Sequence, residues 1–414
     1  MKPDQSTFSD RIFFLDNIRY LMVLLVVVLH AAASYSFYTT WWTVNDENSI
    51  FFDYIFRTLG VFLMPVLFFI AGYFVLPSLH KKGTWHFIKS KFKRLGIPWL
   101  IGVMLLGPVE VYIYNYSRRA DVLDFWNIFL IKMNSFLSFR IRFSTSNTEF
   151  SHLHFWFISL LLLFFIVFAL LHKSKSILIK NSQAFKTSKI SSHRSILLIL
   201  FLVSVLSTIL TLIMHGVFSK GNEIEPWVII GSLLQFQPTR IFLYILCFGL
   251  GIYAFHKNWF VVGNIPGHFV FWTALSIILW LGKEKALSIL LENLFSPVLA
   301  AFFLFLQTLL LFSILLTLVS FGKKFWNSSS RINLSLAENS YHIYMVHLLF
   351  IYLAQLFLRD WLVLSIYIKF VIVGLSAIFL SYLSSQYVIR PFPRLSVTGM
   401  IGIFVLLLMN FSPA

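Results

Sequence analysis

The chain has 414 residues, of which 58% are hydrophobic and only 12% charged, with a formal net charge of +17. Soluble domains carry about a quarter charged residues, so this composition excludes an ordinary globular domain and leaves a polytopic membrane protein. The positive charge is no nucleic-acid signature, because it collects in alternate loops between apolar runs instead of on one surface.

Met1 to Asp10 is polar and lacks the basic-then-apolar pattern of a removed signal peptide, so residues 1–17 read as a cytoplasmic amino-terminal segment and the first span is retained. Window hydropathy predicts ten core helical spans at 18–38, 54–76, 95–115, 154–172, 195–215, 239–256, 266–282, 297–320, 341–358 and 363–388. In the second, Pro65 and the small pair Ala71-Gly72 allow a kink and a close helix approach. Lys81, Lys82, Lys89, Lys91, Lys93 and Arg94 precede the third. A long outer loop from Tyr116 to Ser151, with Arg118, Arg119, Lys132, Arg140 and Arg142, is a candidate lid or substrate platform. Lys173 to Arg194 reads as a solvated connector. Lys257, Lys323, Lys324, Arg331, Arg390 and Arg394 continue the basic series at every second connection, while Asp46, Glu47, Asp53, Glu223 and Glu225 occupy the intervening loops. This is the positive-inside pattern, with the amino terminus and the end of the tenth span in the cytoplasm.

The expected fold is therefore an all-α transmembrane bundle, one ten-span unit over 18–395. A C-terminal hydrophobic segment, 396–414, follows, in which Val397 to Met409 is either a short eleventh span or an interfacial helix.

Arg19 and His30 stand eleven residues apart, which returns them to nearly one helical face roughly 16 Å apart along the axis. An ionisable group deep in lipid costs on the order of 3 kcal/mol unless it faces protein or water, so this stripe points into the bundle and marks a candidate site. Taken singly, His30 reads equally as a core histidine bonded to a neighbouring helix, and Arg19 as an arginine reaching for lipid headgroups. Ser340, Tyr344 and His347 fall at i, i+4 and i+7 of the ninth span, a second polar stripe whose alternative is interhelical polar contact. Lys91, Lys93 and Arg94 at the start of the third span serve as a topology anchor or as a phosphate clamp for a nucleotide cofactor. Trp156 and Phe157 fit an aromatic belt, and His154 beside them can touch a substrate on the outer face. Cys247 is the only cysteine and lies in an apolar span, so no thiolate metal cluster is available and no metal is expected.

In this order the segments resemble the acyltransferase-3 family of bacterial membrane enzymes, most nearly its glucan-succinylating branch, from about residue 11 to 395. The first span matches a Leu-Asp-x-x-Arg box at Leu15, Asp16 and Arg19, followed after ten residues by His30. Phe68-Phe69-Ile70-Ala71-Gly72-Tyr73 resembles Phe-Phe-x-Ser-Gly-Tyr, with Ala71 where Ser is usual. Lys91-Phe92-Lys93-Arg94-Leu95-Gly96-Ile97-Pro98 is similar to Arg-x-x-Arg-Leu-x-x-Pro, with Lys91 replacing a planar guanidinium by a point charge. His154-Phe155-Trp156-Phe157 resembles His-Leu-Trp-Phe, and Ser340 to His347 resembles Ser-x-x-Ile-Tyr-x-x-His. Gln386 stands where the branch often has Glu.

The resemblance implies transfer of an acetyl or succinyl group from cytoplasmic acyl-CoA to a hydroxyl of an extracytoplasmic glycan or lipid-linked sugar, at the bacterial inner membrane. It implies a catalytic group of His30, Arg19, His347 and Tyr344. Arg19, Lys91, Lys93 and Arg94 would hold the cofactor, and Asp16, Ser340, His154 and Trp156 the substrate. Phosphates held at the basic mouth would put the thioester ~16 Å deeper, near His30. Neutral His30 then removes the acceptor proton, or forms a transient acyl-histidine, while Tyr344 and His347 orient acceptor or oxyanion. The rivals are a transporter or flippase for a small anion or lipid-linked sugar, and a scaffold joined by polar helix contacts.

Overall fold

The computed structural model describes residues 12–118, 125–137, 141–144, 152–178, 192–218, 227–230, 233–260, 266–293 and 296–410. The amino-terminal residues 1–11, Arg119, Arg140, Glu223, Glu225 and the lysines at 180, 186 and 189 lie outside them. In chain order the helices are α1 (Phe13–Ala32), α2 (Ile50–Lys82), α3 (Thr84–Lys91), α4 (Ile97–Ser117), α5 (Phe125–Leu137), α6 (Trp156–Leu178), α7 (His193–Phe218), α8 (Pro238–His256), α9 (Phe269–Glu292), α10 (Pro297–Phe325), α11 (Arg331–Arg359), α12 (Ile366–Ser384) and α13 (Pro393–Asn410).

Among the described residues, nine helices are long and apolar enough to cross a membrane. α3 and α4 count as one of them, because a π-helical turn, Phe92–Gly96, joins them without a break. The predicted span at 266–282 is also helical, as α9, but Lys283-Glu284-Lys285 follows it directly and α9 is not among the nine. Val397 to Met409 is helical within α13, where the apolar stretch Pro393–Leu406 is shorter than a span.

The all-α bundle carries one small sheet in addition. Strands β1 (Ile141–Ser144), β2 (Trp227–Ile230) and β3 (Leu234–Phe236) form an antiparallel sheet in the order β1-β2-β3, with Ile141 opposite Ile230 and Val228 opposite Phe236. Strands of three or four residues are too short for alternation to register in a sequence.

α1 lies at the centre, packed on α2, α10, α11 and α12. Its Leu15, Ile18, Met22, Val26 and Val27 are wholly enclosed, so polar residues on the same helix also meet protein instead of lipid. α1 begins at Phe13, which puts His30 in its last turn, about 26 Å from the start and well past the middle of the helix. Against it, α2 packs on α8 with glycines at the crossing. Gly72 faces the Phe248 backbone and Gly251 the backbone of Phe69 and Tyr73, the close approach that the small pair suggested.

A strap, residues 33–49, joins α1 to α2 through two short 3-10 turns. Arg118 Nη2 donates to the carbonyls of Thr40 and Trp42, both at 2.8 Å, and Ser117 Oγ donates to the Thr43 carbonyl at 2.6 Å. Buried Lys369 pairs with Asp46, whose side chain is 9% exposed, at 2.8 Å and ties the strap to α12. The strap is thereby held across the end of the bundle where α1 finishes.

Candidate active site

At the end where α1 starts, cations gather. Arg19 Nη2 pairs with Asp16 Oδ1 at 3.0 Å within the first turns of the helix, so Asp16 sits with the basic group and some 21 Å from His30. The Lys91 ammonium lies 4.0 Å from the Phe165 ring centroid and 5.2 Å from that of Phe87, and the charges of Arg94, Lys82 and Arg19 all reach it. Lys93 and Arg94 are exposed in the π-helical turn. Such turns insert one residue into a helix and recur at functional sites.

A second π-helical turn, Ser385–Ile389, stands near this end as well. Ser385 Oγ donates to Asn339 Oδ1 at 2.6 Å, and Asn339 Nδ2 donates to Gln386 Oε1 at 2.7 Å. Beside Gln386, which stands where the resembled branch often has Glu, the carboxylate of Glu338 accepts from Arg390 Nη2 at 2.6 Å. The charge of Arg94 reaches Tyr341 and His342 on α11, and the Tyr341 hydroxyl is buried without a hydrogen-bond partner. Polar groups thus extend from the basic mouth up α11.

Toward the other end of α1, three histidines from three helical segments converge. His30 Nδ1 and His347 Nε2 are 2.9 Å apart, with the rings stacked at 5.1 Å and 15°. His347 is 0% exposed and its Nδ1 lies 2.7 Å from the Tyr344 carbonyl oxygen. His154 is 6% exposed and meets the His347 ring edge-on at 4.8 Å. Both its ring nitrogens are buried without a hydrogen bond, although the Tyr344 and Met345 carbonyls approach. Tyr344, also buried, donates its hydroxyl to the His154 carbonyl and is thereby committed to holding that segment. His30 is less enclosed than its two neighbours. A lone pair on an imidazole there can accept a proton beside a reacting group that enters the bundle.

Two of the expected site residues stand apart. Ser340 is buried but donates back to the Ala337 carbonyl of its own helix at 2.9 Å. Trp156 packs on Trp227 and Tyr244, with centroids 5.7 and 5.6 Å away.

Several neighbours were not singled out from the sequence. Trp42, on the strap, stacks on His30 at 5.4 Å and 18° and donates Nε1–H to Gln355 Oε1 at 3.0 Å. Tyr352 donates to Glu110 Oε1 at 2.5 Å, and Thr43 donates to the same oxygen at 3.2 Å. Signals for two of these existed. Gln355 continues the Ser340-Tyr344-His347 face, and Glu110 is a carboxylate inside an apolar run.

Comparison with known proteins shows the family. The acyltransferase-3 family model, described as an acyltransferase domain, matches residues 12–390. The glucans biosynthesis protein C of Salmonella typhi is 30% identical over 112 residues, 27% of this chain and 29% of that protein. The protein of that name from Escherichia coli (strain SMS-3-5 / SECEC) is 32% identical over 111 residues, 27% and 28% of the two chains. That from Escherichia coli O6:K15:H31 (strain 536 / UPEC) is 29% identical over 139 residues, 32% and 36%. The chain therefore matches between 28% and 36% of the length of these relatives. No solved structure matches it. A family match that takes in both ends of the polar stripe on α1, and nearly everything packed around it, means that the chain belongs to the acyltransferase-3 family.

Proposed function

We propose that this protein moves an acetyl or succinyl group from cytoplasmic acyl-CoA to a hydroxyl of an extracytoplasmic glycan or lipid-linked sugar. The observation that carries the reading is the pairing of His30 with His347 at one end of α1, roughly 16 Å along the same helix from the Arg19 cluster. Arg19, Lys91, Lys93 and Arg94 would bind the nucleotide phosphates, and the pantetheine arm would run up the polar side of α11 to bring the thioester beside His30. His30 acts as general base on the acceptor hydroxyl, and His154 and Tyr344 flank the reacting groups.

The loop-charge pattern supports a cytoplasmic basic end in the bacterial inner membrane, and the glucan-related names of the relatives support a sugar acceptor. We further take α9 as the tenth crossing. In support, its Lys283 is 2% exposed and pairs with Glu284 at 2.6 Å, and Glu284 pairs with Arg57 of α2 at 3.0 Å, so these two of its charges are paired inside the protein. Ten crossings would leave both ends of the unit 18–395 in the cytoplasm.

The test supplies labelled acetyl-CoA or succinyl-CoA to membranes holding the protein and looks for an O-acylated, base-labile glycan, identified by mass spectrometry of the envelope. His30→Ala should abolish product at unchanged protein level, and Arg19→Ala should raise the acyl-CoA dissociation constant. Product formation that survives His30→Ala, or uptake of label with no covalent product, would refute the reading.

A further inference from the structure

The hydrogen bonds around His347 admit one arrangement of protons for a neutral pair of rings. The Tyr344 carbonyl oxygen can only accept, so the His347 Nδ1 facing it carries a hydrogen. The Nε2 of a neutral His347 is then bare, and it faces His30 Nδ1. His30 therefore donates from Nδ1, and its free lone pair is on Nε2. His347 is fully enclosed, and burial disfavours a resting ring that carries both protons and a charge.

We infer that His347 is a positioning residue that holds His30 as its Nδ1–H tautomer, making Nε2 the atom that takes the acceptor's proton. This rests on the acyltransferase reading and adds which nitrogen reacts and why two histidines are paired. Free histidine in water prefers the opposite tautomer, so an unpartnered His30 would present an N–H where a lone pair is needed.

In the transfer, the acceptor oxygen bonds to the thioester carbonyl carbon, its proton passes to His30 Nε2, and the carbonyl electron pair moves to oxygen. On collapse the carbonyl reforms, the carbon–sulfur bond breaks, and the departing CoA sulfur takes the proton back from Nε2. Throughout, His30 Nδ1–H stays donated to His347. The His347 Nδ1–H ends on a carbonyl that cannot take a proton, so the pair orients the base and relays nothing. The role is that of the orienting carboxylate in a serine protease triad, filled by a neutral acceptor. Because the Tyr344 carbonyl belongs to the preceding turn of α11, the His347 ring is anchored to its own helix on the side away from His30.

The experiment labels histidine with nitrogen-15 in the full-length protein in nanodiscs, assigns His30 by difference from His30→Ala, and reads its tautomer by solid-state NMR beside kcat and the acyl-CoA dissociation constant. Wild type should carry hydrogen on His30 Nδ1. His347→Phe, which keeps the ring and loses the acceptor, should switch His30 to Nε2–H and lower kcat by about 10²-fold or more, with acyl-CoA affinity within about twofold. His347→Gln, whose side-chain carbonyl can accept, should recover at least about a tenfold part of that loss. The inference is overturned by Nε2–H on His30 in wild type, by His347→Phe retaining the wild-type tautomer, or by His347→Gln performing no better than His347→Phe. Should His347→Phe fail to fold, the wild-type spectrum decides alone. The expected tautomer in a protein that transfers no acyl group would sink the proposed function and leave this pairing standing.

Discussion

Gly72→Ala tests how far the bundle depends on the contact between α2 and α8. A Cβ at Gly72 would fall 2.0 Å from the Phe248 carbonyl oxygen, and one at Gly251 would fall 2.1 Å from the Phe69 carbonyl oxygen and 2.8 Å from the Tyr73 nitrogen. Cβ atoms essentially never approach closer than 3.0 Å, so either methyl forces the helices apart by about 1 Å. The obstacles are backbone atoms, and no rotamer change relieves them. Overpacking typically costs ~1–3 kcal/mol, and a displacement imposed on a whole helix pair belongs at the upper end, about 3 kcal/mol. A separation that admits one methyl largely admits the other. The double variant Gly72→Ala/Gly251→Ala should therefore cost clearly less than the two singles added. Unfolding by SDS titration, followed by tryptophan fluorescence, measures all three variants. Acyl transfer should fall with stability, because Phe68 of α2 packs on Phe157 and Tyr244, each at 4.9 Å, behind the His154 segment. Gly72→Ala within about 0.5 kcal/mol of wild type, or full additivity in the double variant, would refute the reasoning.

Lys369→Met should destabilise the protein by about 3 kcal/mol in the same titration, since it leaves the largely enclosed Asp46 carboxylate uncompensated, and adding Asp46→Asn should recover most of the loss. Wild-type stability in the single variant would count against this ion pair. Tyr344→Phe removes the hydroxyl donated to the His154 carbonyl. It should cost about 1–3 kcal/mol and reduce kcat while leaving acyl-CoA affinity unchanged, and undiminished kcat would show that Tyr344 does not hold the His154 segment in place for catalysis.

Hydropathy and charge alone located ten helical runs, because a chain in lipid must satisfy every backbone group within its own segment and a helix does so. The stripes Arg19-His30 and Ser340-Tyr344-His347 were legible for a related reason. Helical period is a local property, so residues that share a face can be counted along the chain. Glu110 and Gln355 left marks of the same kind, but a carboxylate or an amide in an apolar run names no partner.

Partnership was decided only by the folded bundle. His30 meets His347 across 317 residues, Trp42 covers them from a strap with no periodicity, Asp16 sits with Arg19 at the basic mouth, and the hydroxyl of Tyr344 goes to the backbone beside His154. Which donor finds which acceptor depends on which helices become neighbours and how each is rotated about its axis. Those are set by packing across the whole core, as where glycines let α2 close on α8, and contacts so distant in the chain leave no repeating pattern in it.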